Sequence, residues 1–349
     1  MSSHTFSPEE LVEFVLNAYR ALGVPQSGAV LLAETLCQAD LWGHQSHGVM
    51  RTFWYANRIQ SQATDIYSKP VLITDAGAVA VLDGNNGIGQ VVAKCAMSEA
   101  IQRAKLHGIG SVAVRNSGHF GTAMFFTRMA AKAGCIGLLF TNASPAMAPW
   151  GAKEKRVGTN PWSIAAPAGR FQPMMLDIAN TVVARGKLYA AKQQGKLIPD
   201  GWALGPDGSP TNDPLTGIAG TILPLAGHKG YAIATMVDVL SGVLSGSSFL
   251  SNVVGPYEPD GKSGVGHFAI ALHIEAFRSL KEFNSDMEEL IESIKETPKA
   301  PEVDEIYYPG ELEAITENQH RQYGVPVPEK TVHELNSEAK KLGIALLNT

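Results

Sequence analysis

The chain has 349 residues, of which 45% are hydrophobic and 17% charged, with 35 Gly, 20 Pro and a formal net charge of −5. This is the profile of a compact α/β protein with many tight turns, and it is longer than the roughly 100–200 residues of one domain, so two structural units are expected. No run of Lys or Arg exceeds two, so the basic stripe that a nucleic acid or an anionic membrane would require is absent, and the expected partner is a small molecule.

The first residues show no basic segment leading into an apolar one, and no apolar run approaches the ~18 residues that cross a bilayer. A soluble, cytoplasmic protein without a membrane partner is the expectation. Cys37, Cys95 and Cys135 stand alone in apolar segments with no CxxC pair, which suits reduced core thiols.

Ser7, Pro8 and Glu10 supply an N-cap, an N1 proline and a capping-box glutamate, so a helix is predicted to start there and stop at Gly23. "SGAVLLAETLCQADLWG" keeps apolar residues at helical spacing through Leu41, and residues 1–72 read as helical. From Val71, short β-branched runs alternate with helical segments ("VAVLDG", "GQVVAKCAMSEAIQRAKLHG", "SVAVRN", "TAMFFTRMAAKAG", "IGLLFTN"), which predicts a layered α/β unit. It continues through "PMMLDIA", the helix "YAIATMVDVLSGVLSG" and the strand "HFAIALHI". Beyond Phe283 the chain turns charged and reads as a helix, a Pro-containing link and a terminal helix. The predicted organisation is a helical domain of residues 1–72 plus 284–349, with an α/β domain of residues 73–283 inserted in it. Two Pro- and Gly-rich stretches, "NASPAMAPWGAKEKRVGTNPWSIAAPAG" and "LIPDGWALGPDGSPTNDP", fit neither pattern; Trp150, Trp162 and Trp202 favour ordered loops there.

Three stretches carry chemistry. In "DLWGHQSHGVMR" the histidines His44 and His47 are three apart with no carboxylate between them, which is poor spacing for zinc. His47 adjoins Ser46 and precedes Arg51 by four residues, a set able to hold a carboxylate while imidazole handles a proton. In "VRNSGHFGTAMFF", His119 follows a predicted strand, where open α/β sheets place their ligands, and the helix expected to open at Gly121 would disfavour imidazolium. In "LAGHKGYAIATM", Lys229 stands before a long helix as a possible anion cradle, without the spacing of a phosphate-binding P-loop. A surface lysine in a glycine-rich turn and a satisfied core histidine are the bland alternatives. "GIGSVA" and "GVGHFA" match GxGxxA but precede strands, so neither is a Rossmann turn.

In the order "DLWGHQSHGVMR", "RNSGHFG", "NASPAMAPWGA", "VGTNPW", "LDIANTVVARGK", "IPDGWAL", "GSPTNDP", "LPLAGHKGYA" and "YYPGE", the chain resembles the malate/L-lactate dehydrogenase type 2 family. That family includes ureidoglycolate and sulfolactate dehydrogenases and 2,3-diketo-L-gulonate and Δ1-piperideine-2-carboxylate reductases. The resemblance implies an α/β fold with a non-Rossmann NAD(P)-binding domain, usually a homodimer. It implies an oxidoreductase that moves a hydride between NAD or NADP, NAD preferred, and C2 of a small 2-hydroxy or 2-oxo acid such as malate, lactate or ureidoglycolate. A cyclic imino acid reductase is the alternative. By motif position His119 is implied as the proton-transfer residue, with His47 as the second histidine to which some members give that role. Ser46 and Arg51 are implied to hold the substrate carboxylate, and Thr159 and Asn160 to shape the pocket. Ala143, Asp177, Ile178, Ala179, Lys229, Gly310 and Glu311 fall on the cofactor motifs, and no metal is implied. Asn180 and Gly205 depart from the family pattern, where Ser or Thr and Asp are common.

Overall fold

The structure is a computed structural model that describes residues 2–348. Helix α1 (Pro8–Ala21) begins where its cap dictates. The Ser7 hydroxyl accepts the Glu10 N–H at 3.1 Å and the Glu10 carboxylate accepts the Ser7 N–H at 2.8 Å. Leu11, Phe14, Val15, Ala18 and Tyr19 recur at three- and four-residue spacing and form its buried face. α2 (Gln26–Leu41) is apolar nearly all round and is buried accordingly. After two 3₁₀ turns, Gln45–His47 and Val49–Arg51, comes α3 (Thr52–Gln60).

The N-terminal segment is not wholly helical, because β1 (Ser3–Phe6) precedes α1 and pairs antiparallel with a strand 320 residues along the chain, at Val325–Pro328. Such a short edge pair carries little alternation, so nothing local marked it.

The α/β unit opens with the hairpin β2 (Val71–Ala76) and β3 (Val79–Asp83), followed by α4 (Gly89–His107), β4 (Ile109–Ser117), α5 (Met124–Lys132) and β5 (Cys135–Thr141). The first unassigned stretch folds as the two-stranded β6 (Pro145–Met147) and β7 (Val157–Gly158) and then β8 (Trp162–Ala166), a strand of the main sheet, and β9 (Met174–Ile178) follows it. The second unassigned stretch joins a small satellite. α6 (Arg185–Gln194), β10 (Ala203–Leu204), β11 (Pro210–Thr211), α7 (Pro214–Ala219) and β12 (Thr221–Ile222) enclose Val183, Leu188, Ile198, Ala203 and Ile222. α8 (His228–Asp238) runs on into a π turn, Val239–Val243, and β13 (Val265–His273) returns to the main sheet.

That sheet has seven strands in the order β2-β3-β4-β13-β5-β8-β9. β4 and β5 both run antiparallel to β13, and β9 is antiparallel to β8, which is antiparallel to β5. The C-terminal ends of β4, β5 and β9 therefore share one edge of the sheet with the starts of β8 and β13. α4 and α5 cover one face over Val92, Met97, Val112, Phe126 and Leu139. The two GxGxxA matches, residues 108–113 and 264–269, run into β4 and β13 from the residue before each. A Cβ at Gly110 would strike the Ala100 carbonyl of α4, and one at Gly266 the Ser241 carbonyl beyond α8. Both glycines serve close helix–strand approach rather than a nucleotide.

The C-terminal segment divides. α9 (Leu280–Lys295) buries Ile291 with Ala168, Phe171 and Tyr308 beside the β8–β9 hairpin, so its start joins the α/β unit rather than the helical one. Only from α10 (Glu311–Tyr323) onward, through β14 (Val325–Pro328) and α11 (Glu329–Leu342), does the tail meet the N-terminal helices. There Val325, Val332 and Leu335 share a core with Leu11, Tyr19, Leu32 and Leu36. No helix among the described residues is long and apolar enough to cross a membrane.

Candidate active site

The turn after α2 is held from beneath. Asp40, only 3% exposed, accepts the Val49 N–H at 2.7 Å, and Gly48 packs so closely on its carboxylate that a Cβ there would overlap it. The Thr52 hydroxyl donates to the Val49 carbonyl at 2.6 Å, and the Tyr19 hydroxyl donates to the Thr52 carbonyl at 3.0 Å. These contacts fix the segment that carries Ser46, His47 and Arg51. Burial pushes the Asp40 carboxyl up to about 7, against the lowering effect of the Val49 N–H.

On that turn Ser46 Oγ and His47 Nδ1 lie 2.9 Å apart, and Arg51 Nε donates to the Ser46 carbonyl at 2.6 Å. The Arg51 guanidinium lies 3.6 Å above the Trp54 ring. None of the ion pairs among the described residues includes Arg51. Burial lowers it to about 10, so it remains a cation at neutral pH.

β4 delivers His119 to the same place. Its ring stacks on His47 with centroids 5.8 Å apart and planes 17° off parallel. Tyr55, one turn along α3 from Arg51, sets its hydroxyl 2.6 Å from His119 Nδ1, and the Gly121 N–H points at the same nitrogen from 3.2 Å. His119 falls to about 3, first from burial and then from the charges of His47, Arg51 and His267; His47 falls to about 4, from burial and then Arg51. Both rings are neutral at pH 7. The expected cause was a helix end at Gly121, yet α5 starts only at Met124, and burial beside Arg51 accounts for the neutrality instead. A cleft opens beside His119, lined by Tyr55, Gly118, Gln90, Arg58 and Pro256 as well.

The malate/L-lactate dehydrogenase family model matches residues 6–336. The chain belongs to the malate/L-lactate dehydrogenase family. A malate dehydrogenase of Pyrococcus abyssi is 40% identical over 346 residues, 96% of this chain and 94% of its own. The NAD(+)-named ureidoglycolate dehydrogenase of Escherichia coli K12 is 34% identical over 335 residues, 95% of each chain. Among solved structures, sulfolactate dehydrogenase of Methanocaldococcus jannaschii superposes with a TM-score of 0.92 at 35% identity, covering 98% of both chains. Δ1-piperideine-2-carboxylate reductase of Pseudomonas syringae pv. tomato does so with 0.84 at 26%, covering 96% of this chain and 99% of its own.

The residues that family resemblance pointed to for the cofactor, with Thr159 and Asn160 for the substrate pocket, fall into two groups. Ala143, Thr159, Asn160, Ile178 and Ala179 lie at the sheet edge where β4 delivers His119, at the ends of β5 and β9 and before β8. Several of their polar groups are already engaged. Asn160, fully buried, accepts the Ala143 N–H at 2.9 Å and donates to the Ala234 carbonyl at 2.8 Å. Asp177 accepts the Met124 N–H at 2.9 Å at the start of α5, and burial raises it to about 6. Lys229 is exposed in the first turn of α8 and joins no ion pair among the described residues. Gly310 and Glu311 lie along the outer strand instead, where Met175 N–H donates to the Pro309 carbonyl at 3.0 Å and Glu311 pairs with Lys295 at 2.7 Å.

A nicotinamide dinucleotide needs free donors and acceptors at this edge. Thr122 and Thr181, 7% and 6% exposed, have hydroxyls with no partner among the described residues, one just after His119 and one just after β9. Together with Lys229 they are a donor set that suits a polar nucleotide.

Sequence reasoning missed Tyr55, His267 and Asp40. Tyr55 had a signal, since it follows Arg51 by four residues on a helix. Asp40 had none, because only the fold brings Val49 onto it.

Proposed function

We propose that the chain is an NAD(P)-dependent 2-hydroxy acid dehydrogenase, NAD preferred, in which His119 moves the proton and Arg51 holds the substrate carboxylate. The observation that carries this reading is a half-buried guanidinium without a carboxylate partner among the described residues, beside two imidazoles kept neutral. An anionic substrate supplies the missing charge. Arg51, anchored through Nε and stacked on Trp54, offers its remaining N–H groups to the carboxylate, with Ser46 beside it. That docking fixes the C2 group relative to His119.

His119 has one nitrogen occupied and one free. The Gly121 N–H donates to Nδ1, an arrangement that puts the hydrogen of the neutral ring on Nε2; accepting the C2 hydroxyl proton at Nε2 during oxidation requires the other tautomer, with Nδ1–H donating to Tyr55 and the Gly121 contact given up. For reduction the ring must be imidazolium. A bound carboxylate offsets the Arg51 charge that opposes protonation, so the acid itself raises the proton affinity of His119. Tyr55, pushed above its ordinary value by burial, stays un-ionised and orients the ring. The nicotinamide, when bound, supplies the hydride acceptor or donor. Ala143, Asp177, Ile178, Ala179, Lys229, Gly310 and Glu311 are proposed to line its path, with Thr159 and Asn160 shaping the pocket. A cytoplasmic homodimer and a helical unit bearing an inserted α/β domain accompany this reading.

The likeness to Δ1-piperideine-2-carboxylate reductase favours a second substrate class, cyclic imino acids, in which the same histidine protonates nitrogen. Absorbance at 340 nm, followed with NADH and NADPH against open-chain 2-oxo acids and cyclic imines, separates the two. Turnover of open-chain acids is expected. Turnover of imines alone would move the chain to imine reduction, and turnover of neither would remove the dehydrogenase reading.

A further inference from the structure

A second, shallow cleft lies between the β6–β7 ribbon and the satellite of α6, α7 and β12. Lys155 and Arg185 flank it, over a floor of Leu188, Ile218, Gly220 and Ile222. Neither cation joins an ion pair among the described residues; Arg156, next along, pairs with Glu154. The Lys155 ammonium is held below its ordinary range by burial and by Arg185, so two like charges are kept close together with no anion between them. Such an arrangement costs stability in the empty protein and is relieved by a polyanion.

The position of the cleft narrows what that anion is. Arg185 lies 5.8 Å from the Tyr257 ring, Tyr257 packs edge-on to Trp54 at 5.9 Å, and Trp54 carries Arg51. Pro256, beside Tyr257, lines the His119 cleft. The two clefts therefore flank one loop, and the Trp54 and Tyr257 rings stand between Arg51 and Arg185. A small hydroxy acid docked on Arg51 does not reach past both rings. An extended dinucleotide with its reactive ring near His119 does.

We propose that Lys155 and Arg185 form a phosphate subsite for the dinucleotide. The inference rests on the nicotinamide reading above. The floor supplies apolar surface without charge, and the cations supply the only two lining groups able to neutralise phosphate.

The test is direct binding rather than turnover. NADH and NADPH dissociation constants are measured by nucleotide fluorescence for the wild-type chain, Lys155→Gln, Arg185→Gln and the double variant, with oxalate binding and the melting temperature followed alongside. Each single variant is expected to weaken nucleotide binding by about tenfold, the usual scale for one charge-assisted bond, with oxalate affinity and melting unchanged. Equal weakening of NADH and NADPH assigns the subsite to the diphosphate, and weakening of NADPH alone assigns it to the 2′-phosphate. Unchanged nucleotide affinity in variants that melt normally overturns the proposal, and so does loss of oxalate affinity alone, which would give the cations to the acid. A wild-type chain that binds neither nucleotide overturns the nicotinamide reading itself.

Discussion

His119 and His267 stand near one end of the same sheet, and both are held near 3, chiefly by burial. Their ring nitrogens differ. His267 has both occupied, with Nδ1 at 2.8 Å from the Thr141 hydroxyl and Nε2 at 2.7 Å from that of Ser117, and Phe120 packs against its ring. His119 has Nδ1 engaged by Tyr55 and Gly121, while Nε2 has no partner among the described residues. Burial and a depressed pKa are thus shared by a core histidine and a candidate catalytic one. The nitrogen left free beside a cleft separates them.

The largest expected effect breaks or confirms that contrast. His119→Ala should lower kcat by about 10²–10⁴-fold, the usual contribution of a general acid–base, with cofactor affinity unchanged in a fluorescence titration. His267→Ala should leave kcat near wild type and instead reduce unfolding free energy by about 2–4 kcal/mol, from a cavity and two stranded hydroxyls. Comparable losses of kcat in both variants would mean that nitrogen occupancy does not distinguish the roles.

A smaller effect sharpens the electrostatic half. Arg51→Lys keeps the charge but loses the planar fork, so steady-state kinetics should show KM for the acid rising about 10–100-fold, as for one to two charge-assisted bonds, with a lesser fall in kcat. A KM left unchanged would take the carboxylate away from Arg51.

The smallest effect concerns pH. A histidine depressed in the folded state is protonated first in the unfolded chain, so His47, His119 and His267 each reduce stability as pH falls below about 6.5. Asp40, raised to about 7, and Asp177, raised to about 6, act oppositely, because the folded chain binds those protons first and gains stability down to about 3.8. The terms offset one another between roughly pH 4 and 6. Asp40→Asn removes one offsetting group, so its melting temperature should fall more steeply with acid than that of the wild type. An identical slope would mean that Asp40 is ionised in the folded protein throughout that range.

Much of this site was legible before any fold. The Ser7 capping box, the helical period through Leu41 and the strand before His119 all act over a few residues, and each appears where local chemistry put it. The family motifs named His47, Arg51 and His119 by position. Less was legible where the partner is distant. β1 pairs with β14 across nearly the whole chain, α9 packs beside the β8–β9 hairpin, and the two Pro-rich stretches became strands of small sheets together with β8 of the main one.

By itself the sequence determined the family, the main helices and the α/β alternation between them, and the residue types that could move a proton or hold a carboxylate, because these depend on motifs and short-range periodicity. Only the tertiary structure stacked His47 on His119, left Arg51 without a counter-ion, brought Tyr55 to Nδ1 and sealed His267 between two hydroxyls. The physical reason is that a pKa and a free ring nitrogen are set by what surrounds a side chain. Those surroundings come from α2, α3, β4 and β13, segments that only folding brings together.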